Sequence, residues 1–552
     1  MSAPSGFLAP TRADLESVGR GGGPVRPELL REAVRSRTLL LLRALNDLSR
    51  AAGPAVPGLA AGLALLAAVQ RRSPAAFAAA LDLPATGAWA AYCVRAATAA
   101  GPGAPLPPEA DGLAALAGAA AHRAGMPYRI TVGALDGAVP LPGLGLAVLP
   151  SGTARAELRG AGGESVLCGG GRTVRIPRAA GARAPGWHPE PRIRVTAAGR
   201  TLDVALDSLH PFRQGGAPLP PRPLGAAERR AWRADTAAAW ALLAERHPAR
   251  ARDVAATVAS IVPLTGPSPW TSASYGDAVG AVGLSPHPDA ASLAAALVHE
   301  AQHAKLSALL TVVDLLDAPP ELRAYAPWRD DPRPPAGLLQ GAYAFLAVTG
   351  FWRDEAARAG TDEEVHTAQT HCARWLRPTA DTVAALARSP WPTAEGRLLL
   401  EAMRRTLTDW AATAEIAPTA AAEARSAAVR HRVRWRLRHA PAPPRTLVDA
   451  LAAAYGAGLP APREAARLLH RSPALTPDAG PDPAAAMPEL LRAVREAAGP
   501  APAPGLADWL RPVVERCAAL RAQDGGGSMS HSARTPSAAA RASGWSSPMV
   551  DR

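Results

Sequence analysis

An HExxH motif in a long helical pattern constrains the fold more than any other segment of the chain. The motif lies in residues 297–303, which read Leu-Val-His-Glu-Ala-Gln-His. Residues four positions apart lie on one face of a helix, so His299 and His303 can present two imidazoles to one divalent metal. Glu300 lies beside them, where a carboxylate acts as a base on metal-bound water or orients the ligands. The motif therefore predicts a metal site built on a helix.

The flanking sequence favours a buried helix preceded by a strand. Asp289 follows a proline and is a typical N-cap residue, so we expect the helix to start there and to end at about Leu316, before a pair of prolines. The apolar stripe of this helix consists of Leu293, Leu297, Ala301, Ala304 and Ala308. Upstream, the Gly-rich residues 275–284 are typical of a strand, and a strand followed by an HExxH helix is the arrangement of a zincin-like site. In the alternative interpretation, the two histidines are ordinary residues of an amphipathic helix.

Changes in composition and in the spacing of apolar residues along the chain predict an α+β fold that is predominantly helical. The segments are a disordered N-terminus (1–26), an N-terminal helical region (27–123), a small β-rich unit (126–213), an HExxH metal-binding helical domain (224–500) and a disordered tail (524–552). Alternating apolar and polar residues mark strands of the β-rich unit at residues 128–132, 173–176, 192–195 and 202–206. The zincin-like strand and the HExxH helix fall in the helical C-terminal domain.

Composition limits the classes of protein to which the chain can belong. The formal charge is +13, but the cations are scattered arginines, and Lys305 is the only lysine. Because zinc-finger and RNA-binding signatures are absent from the sequence, we expect no nucleic-acid partner. The four cysteines form no CxxC pair, which argues against a disulfide framework and a thiolate zinc site. The sequence has no signal-peptide pattern and its longest Ala/Leu run is too short to span a bilayer, so we expect a cytoplasmic protein with no membrane partner.

Three neighbouring segments carry a resemblance to a known family. The HEAQHAKLSALL helix, the YAPWRDDPRP loop and the QGAYAFLAVTGFW segment together resemble the actinobacterial HEXXH motif domain proteins, as do the LDSLHPF and VRWRLRH segments. The resemblance covers residues 200–440. Members of this family occur alone or fused to radical-SAM peptide-modifying enzymes, in gene clusters for ribosomally made, modified peptides. The resemblance implies a peptide β-hydroxylase that uses Fe(II) and 2-oxoglutarate, with a peptide substrate and a radical-SAM enzyme as partners.

Carried over to this chain, the resemblance makes His299 and His303 the metal ligands and Glu300 the catalytic acid of the motif. A third protein ligand is not identified by the sequence. Leu306 and Leu309 occupy the positions where an HExxHxxGxxH motif has its glycine and third histidine, and no clear GxxxE helix follows. The candidates are Gln340, Asp354, Glu355, His366 and His371, each of which is individually more typical of a structural role.

The Pro-rich loop at residues 325–335 is a candidate wall of the site. It carries Arg329 and Arg333, which we assign to the carboxylate of 2-oxoglutarate because a guanidinium group matches a carboxylate with two parallel hydrogen bonds. The alternative is a rigid connector. Residues 278–284, in the Gly-rich strand, are a candidate for pairing with an extended peptide by edge addition.

Two other functions remain open at this point. In a zinc-dependent metallopeptidase, Glu300 would activate a zinc-bound water for peptide cleavage. In a non-catalytic peptide-binding partner, the site would be degenerate, as the missing third ligand suggests. Spacing alone does not choose between iron and zinc, since both accept two imidazoles four residues apart.

Overall fold

The computed structural model describes most of the chain up to His439. The described ranges are 10–21, 26–51, 56–265 and 271–439, with the isolated residues 449 and 516. They form a mixed α/β fold that is mainly helical and contains small sheets, so the coarse fold prediction is confirmed. No helix of the described ranges is both long enough and apolar enough to cross a membrane. The predicted disordered tail at 524–552 lies outside the described residues.

Contacts divide the chain into two compact units. The described residues of the first unit are those up to Leu315 together with Ala394–Ala402, and those of the second are Leu316–Thr393 and the described residues from Met403 onward. The five-segment division drawn from sequence texture stays a prediction, because it follows local composition and not the pattern of contacts.

The first unit begins with helices, and proline opens several of them. They are α1 (Arg12–Gly19), α2 (Pro27–Ala51), α3 (Pro57–Arg72), α4 (Pro74–Leu81), α5 (Pro84–Ala100) and α6 (Gly112–Arg123). Proline suits the first helical position because the backbone N–H that it lacks has no partner within the helix there. Leu45, Leu81, Leu113 and Leu116 are at most 1% exposed and form part of one apolar core among these helices.

The first helix corrects the prediction that residues 1–26 are disordered. Residues 12–19 of that segment form α1, whose N-terminus is closed by a reciprocal capping box between Thr11 and Asp14. Leu15 and Val18 are 1% and 0% exposed, so the helix buries an apolar face. The Gly/Pro content of the surrounding sequence concealed this short helix.

The β-rich segment forms two small antiparallel sheets. One has the order β1 (Tyr128–Gly133), β4 (Arg155–Ala161), β5 (Glu164–Gly169) and β6 (Arg172–Ile176), and the other has the order β2 (Ala138–Leu141), β3 (Gly145–Val148) and β7 (Trp187–Pro189). Val132, Leu158, Leu167 and Val174 are fully buried, as expected where alternate side chains of a strand face a core.

A five-stranded mixed sheet lies next along the chain. Its order is β11 (Ser272–Ser274), β12 (Ala281–Leu284), β10 (Ser260–Pro263), β9 (Arg200–Leu206) and β8 (Arg192–Ala197). The three central strands are parallel to one another and both outer strands are antiparallel to their neighbours. The helices α7 (Ala226–Arg246) and α8 (Pro248–Thr257) separate β9 from β10 along the chain.

Two predictions about the Gly-rich segment 275–284 are wrong. Only Ala281–Leu284 is a strand, because the backbone turns at Gly280, where φ is +94°, and Asp277 is held outside the sheet by ion pairs with Arg37 and Arg95. The strand β12 is hydrogen-bonded on both sides, to β11 and to β10. It therefore has no free edge to which a peptide could be added.

The second unit is built from long helices. They are α10 (Pro335–Ala356), α11 (Asp362–Arg388) and α13 (Pro418–His439), while α12 (Ala394–Thr413) has residues in both units. Phe345 of α10 stacks against Trp328 and packs on Trp375 of α11, with ring centroids 5.1 Å and 4.1 Å apart. This aromatic cluster accounts for Phe345 as a core residue of the second unit.

Candidate functional site

The helix that carries the HExxH motif, α9 (Ala290–Leu309), starts where the sequence predicts. The Asp289 carboxylate accepts a hydrogen bond from the backbone N–H of Ser292 at 2.7 Å, which makes it the N-cap. The helix ends about two turns earlier than predicted. Thr311 donates its hydroxyl to the carbonyl of Ala308 at 2.7 Å, and this local bond stabilises a turn in place of further helix.

Helix α9 is enclosed by other elements of the first unit. It contacts α2, α7 and α8 as well as the strands β11 and β12. As a result, His299, Glu300 and His303 are only 1%, 0% and 4% exposed. The motif is therefore in the interior of the unit. This excludes surface histidines, whereas the other form of the alternative interpretation, in which the two histidines are ordinary core residues, stays open.

The two histidines of the motif point at each other through the same ring atom. Their Nε2 atoms are 3.1 Å apart, and the rings meet nearly edge to face at 74°. Burial lowers the pKa of His299 well below its usual value, and the neighbouring His303 lowers it further. A neutral imidazole keeps one nitrogen lone pair, which is the form in which histidine binds a metal.

This nitrogen pair can be tested against the geometry of a metal site. With metal–nitrogen bonds of about 2.05 Å, two ligands lie about 2.9 Å apart at a right angle and about 3.3 Å apart at the tetrahedral angle. The observed 3.1 Å lies between these two values. The distance also suits one N–H donating to the other nitrogen, so the pair fits a divalent cation without requiring one.

The second residue of the motif, Glu300, influences a tyrosine, Tyr275, through its charge. The Oε1 atom of Glu300 lies 3.9 Å from Nε2 of His299. The pKa of Tyr275 is raised by burial and, secondarily, by the negative charge of Glu300, which places the phenol within electrostatic reach of that carboxylate. A Cβ atom at Gly283 would overlap the Tyr275 hydroxyl, so the glycine of β12 makes room for this ring.

Sequence reasoning missed Tyr275, because it assigned this residue to the interior of a strand. The only signal in the sequence is its position before a glycine and an aspartate, which are typical of a turn. The positive charge of Arg213 lowers the pKa of Tyr275 in part, so charges of both signs act on this phenol. Tyr275 is thus a polar residue of the site that the HExxH pattern does not contain.

A buried ion pair fixes α9 to α8. Lys305, the only lysine of the chain, is 1% exposed and donates to the Asp253 carboxylate at 2.6 Å. It lies two residues after His303, so this pair constrains the helix close to the two imidazoles. A buried pair of this kind adds little net stability, but removing one partner leaves the other charge buried without compensation, which destabilises the fold.

The residues proposed as a third ligand all belong to the second unit. His366 pairs with Glu423 at 3.2 Å, His371 stacks on Trp352 with ring centroids 4.5 Å apart, and Asp354 pairs with Arg353 at 2.7 Å. The remaining two, the buried Glu355 and the half-buried Gln340, lie on α10. Over the residues that the structure describes, no group of three or more His, Cys, Asp or Glu side chains could hold a metal ion. The third ligand therefore stays unassigned.

The proposed carboxylate clamp also lies in the second unit. Arg329 and Arg333 both pair with Asp331 of the same loop, at 2.7 Å and 3.3 Å. Their side chains are only 12% and 17% exposed. A ligand carboxylate would compete with Asp331 for the two guanidinium groups, and the assignment of these arginines to 2-oxoglutarate stays a prediction.

Comparison with known proteins identifies no family or function for the chain. The chain matches no protein-family model, and no curated protein matches it. The functional argument therefore depends on the buried histidine pair, its acidic neighbour and the segments quoted above.

Proposed function

We propose that the chain is a metal-dependent peptide-modifying enzyme that hydroxylates a β-carbon of a ribosomally made peptide, with Fe(II) and 2-oxoglutarate. One observation carries the metal-dependent part of the proposal. Two buried histidines, of which His299 has a strongly lowered pKa, bring their Nε2 atoms to 3.1 Å beside the buried carboxylate of Glu300. The choice of iron, 2-oxoglutarate and a peptide substrate comes from the resemblance, as does a radical-SAM enzyme as partner.

In this proposal the chain supplies ligands and a dry environment. His299 and His303 would hold the metal through Nε2, and α9 with β12 would form the zincin-like core of the site. Iron(II) with 2-oxoglutarate and oxygen supplies the oxidising chemistry when bound. Glu300 orients the histidines by its charge, and the enclosure of α9 keeps bulk water from the reacting groups.

A zinc-dependent peptidase is the second candidate, and the Glu300–Tyr275 neighbourhood favours it. A buried carboxylate is suited to take a proton from water, and a phenol is suited to donate to a developing oxyanion. The charge of Glu300 acts on the pKa of Tyr275, and this electrostatic influence is what favours the second candidate. The pair is also compatible with hydroxylation, in which Tyr275 would position Glu300.

Metal analysis of the anaerobically purified full chain tests the proposal. We expect about one iron per chain, together with oxygen-dependent succinate release from 2-oxoglutarate in the presence of a peptide. The same preparation is assayed for peptide cleavage with zinc. Zinc-dependent cleavage without succinate would establish the second candidate, and a chain that binds neither metal would favour a non-catalytic peptide-binding partner.

A further inference from the structure

A large cleft lies in the first unit away from the histidine pair. Its volume is about 1080 Å³, and no residue of the HExxH motif lines it. Its walls come from the end of α6, the loop between β6 and β7, the start of β8 and the start of α7. Typical small-molecule pockets measure roughly 300–1,000 Å³, so this cleft is as large as the largest of them.

Arginine dominates the charged lining of this cleft. The lining contains five arginines, Arg123, Arg178, Arg183, Arg192 and Arg229. Of these five arginines, only Arg192 forms an ion pair with a carboxylate in the part of the chain that the structure describes. Its partner is Asp203, at 2.7 Å. Arg123, Arg178 and Arg229 donate to neutral backbone carbonyls, and Arg178 reaches that of Gly162 at 3.1 Å. Arg183 has no hydrogen-bonding partner among the described residues. The cleft therefore carries uncompensated positive charge.

The single acidic residue of the lining opposes this charge only weakly. Burial and, secondarily, the nearby Asp207 carboxylate raise the pKa of Glu190 to about 7 against the opposing effect of Arg123 and Arg192. Near neutral pH a large fraction of the molecules thus carries an uncharged Glu190. An anion entering the cleft meets several cations and little like charge.

The start of α7 adds a second favourable element. Gly225 is its N-cap and makes no side-chain cap hydrogen bond, with φ −64° and ψ 160°. The residue lines the cleft, and a Cβ atom there would meet no other atom within 4 Å. The first backbone N–H groups of a helix favour negative charge, in the same sense as the surrounding arginines.

We propose that this cleft binds an acidic peptide segment, as a recognition site separate from the histidine pair. The anionic character of the ligand follows from the five arginines of the lining. The volume of about 1080 Å³ exceeds what a single phosphate fills, which favours a ligand that carries several negative charges. That the ligand is a peptide rests on the proposed function.

A substitution at Gly225 tests the proposal with a matched control. Asp and Asn are both favoured N-cap residues that fit this backbone, so Gly225→Asp and Gly225→Asn should fold alike and differ only in one negative charge. The probe is a short fluorescein-labelled peptide of alternating Glu and Gly, titrated with the full chain and followed by anisotropy. We expect Gly225→Asp to weaken binding about fivefold relative to Gly225→Asn.

A second pair of variants removes cations instead. Arg178 and Arg183 are exposed, so Arg178→Ala with Arg183→Ala should weaken peptide binding about tenfold without unfolding the chain. The charge-matched control replaces Arg71 and Arg72, which are exposed and do not line the cleft. We expect this control to bind as the wild type does.

Three results would overturn the proposal: no binding of the acidic peptide at moderate salt, equal affinity of the Asp and Asn variants, or binding of tripolyphosphate by a chain that does not bind the peptide. The same peptide with Gln in place of Glu should not bind. The assay needs neither metal nor oxygen. A failed metal analysis with intact peptide binding would therefore refute the proposed chemistry alone, and the reverse result would refute this cleft alone.

Discussion

The histidine pair and the arginine-lined cleft are two polar sites in one compact unit, and burial disfavours opposite signs of charge at the two sites. At the histidine pair, enclosure by neighbouring helices and strands lowers the pKa of His299 and favours its neutral imidazole. At the cleft, Arg178 and Arg183 are exposed to solvent, while burial raises the pKa of Glu190 and favours its neutral form. Burial thus disfavours a positive charge at the first site and a negative charge at the second.

The largest effect expected at the histidine pair is loss of the metal. Replacing His299 or His303 by alanine removes one of the two nitrogens that approach to 3.1 Å, so we expect iron to be lost and succinate formation to fall to background. The measurement is metal content per chain. The control is His188→Ala, which removes a half-buried histidine of β7 that is not among the candidate ligands and should leave iron unchanged. Full iron in the His299 variant would remove the histidine pair from the metal site.

In the ion pair beside the histidines, two opposite charges are buried together, which differs from both sites above. Lys305→Met leaves the Asp253 carboxylate without its partner, so we expect the free energy of unfolding to fall by about 3–5 kcal/mol in denaturant titrations. The double variant Lys305→Met with Asp253→Leu should recover most of that loss. Equal stability of the single and double variants would show that Asp253 is solvated after the lysine is removed.

Glu300 separates the two candidate chemistries at the histidine pair. Hydroxylation requires no carboxylate to activate water, so Glu300→Gln should retain measurable 2-oxoglutarate turnover, reduced by about tenfold through poorer orientation of the ligands. In a hydrolase the same change removes the base and abolishes cleavage while the metal remains bound. Succinate release and peptide cleavage are measured in parallel on both chains, with metal content as the control.

The smallest effect concerns pH and the cleft. The pKa of Glu190 rises on folding from about 4.5 to about 7, so its stabilising contribution is complete below pH 4.5 and is lost as pH rises through 7. Glu190→Gln cannot ionise and should therefore gain about 2–3 kcal/mol relative to wild type between pH 5 and pH 8. The measurement is denaturant unfolding at both pH values. A difference that does not change with pH would mean that Glu190 is solvated.

Local signals in the sequence predicted part of this arrangement. The N-cap Asp289 and the approach of His299 to His303 follow from helix spacing, which depends on no distant residue. Each of the four alternating runs contains a strand, because alternation records which side chains face a core. Strands of three or four residues, such as β10 and β11, carry too few side chains to show that period.

The rest could not be predicted, because it depends on contacts between distant segments. The charge of Glu300 acts on the pKa of Tyr275 because the strands β11 and β12 pack beside α9, and no local pattern in the sequence records that packing. The cleft assembles residues from Arg123 to Arg229, and along the chain these are separated by both small antiparallel sheets and by two strands of the five-stranded sheet. The N-terminal helix α1 was not predicted for another reason. Glycines and prolines on both sides of it dominate the composition of residues 1–26.

Lys305 also gives the folded chain an unusual chemical property. It is the only ε-amino group in the sequence, it is 1% exposed, and it is held by Asp253. An amine-selective acylating reagent can reach this nitrogen only when α8 and α9 separate, so the rate of acylation at Lys305 reports the frequency of that opening. Mass spectrometry of the peptide that contains Lys305 distinguishes this modification from acylation of an α-amino group. Slower acylation after loading with a divalent metal would link metal binding to the closure of α9.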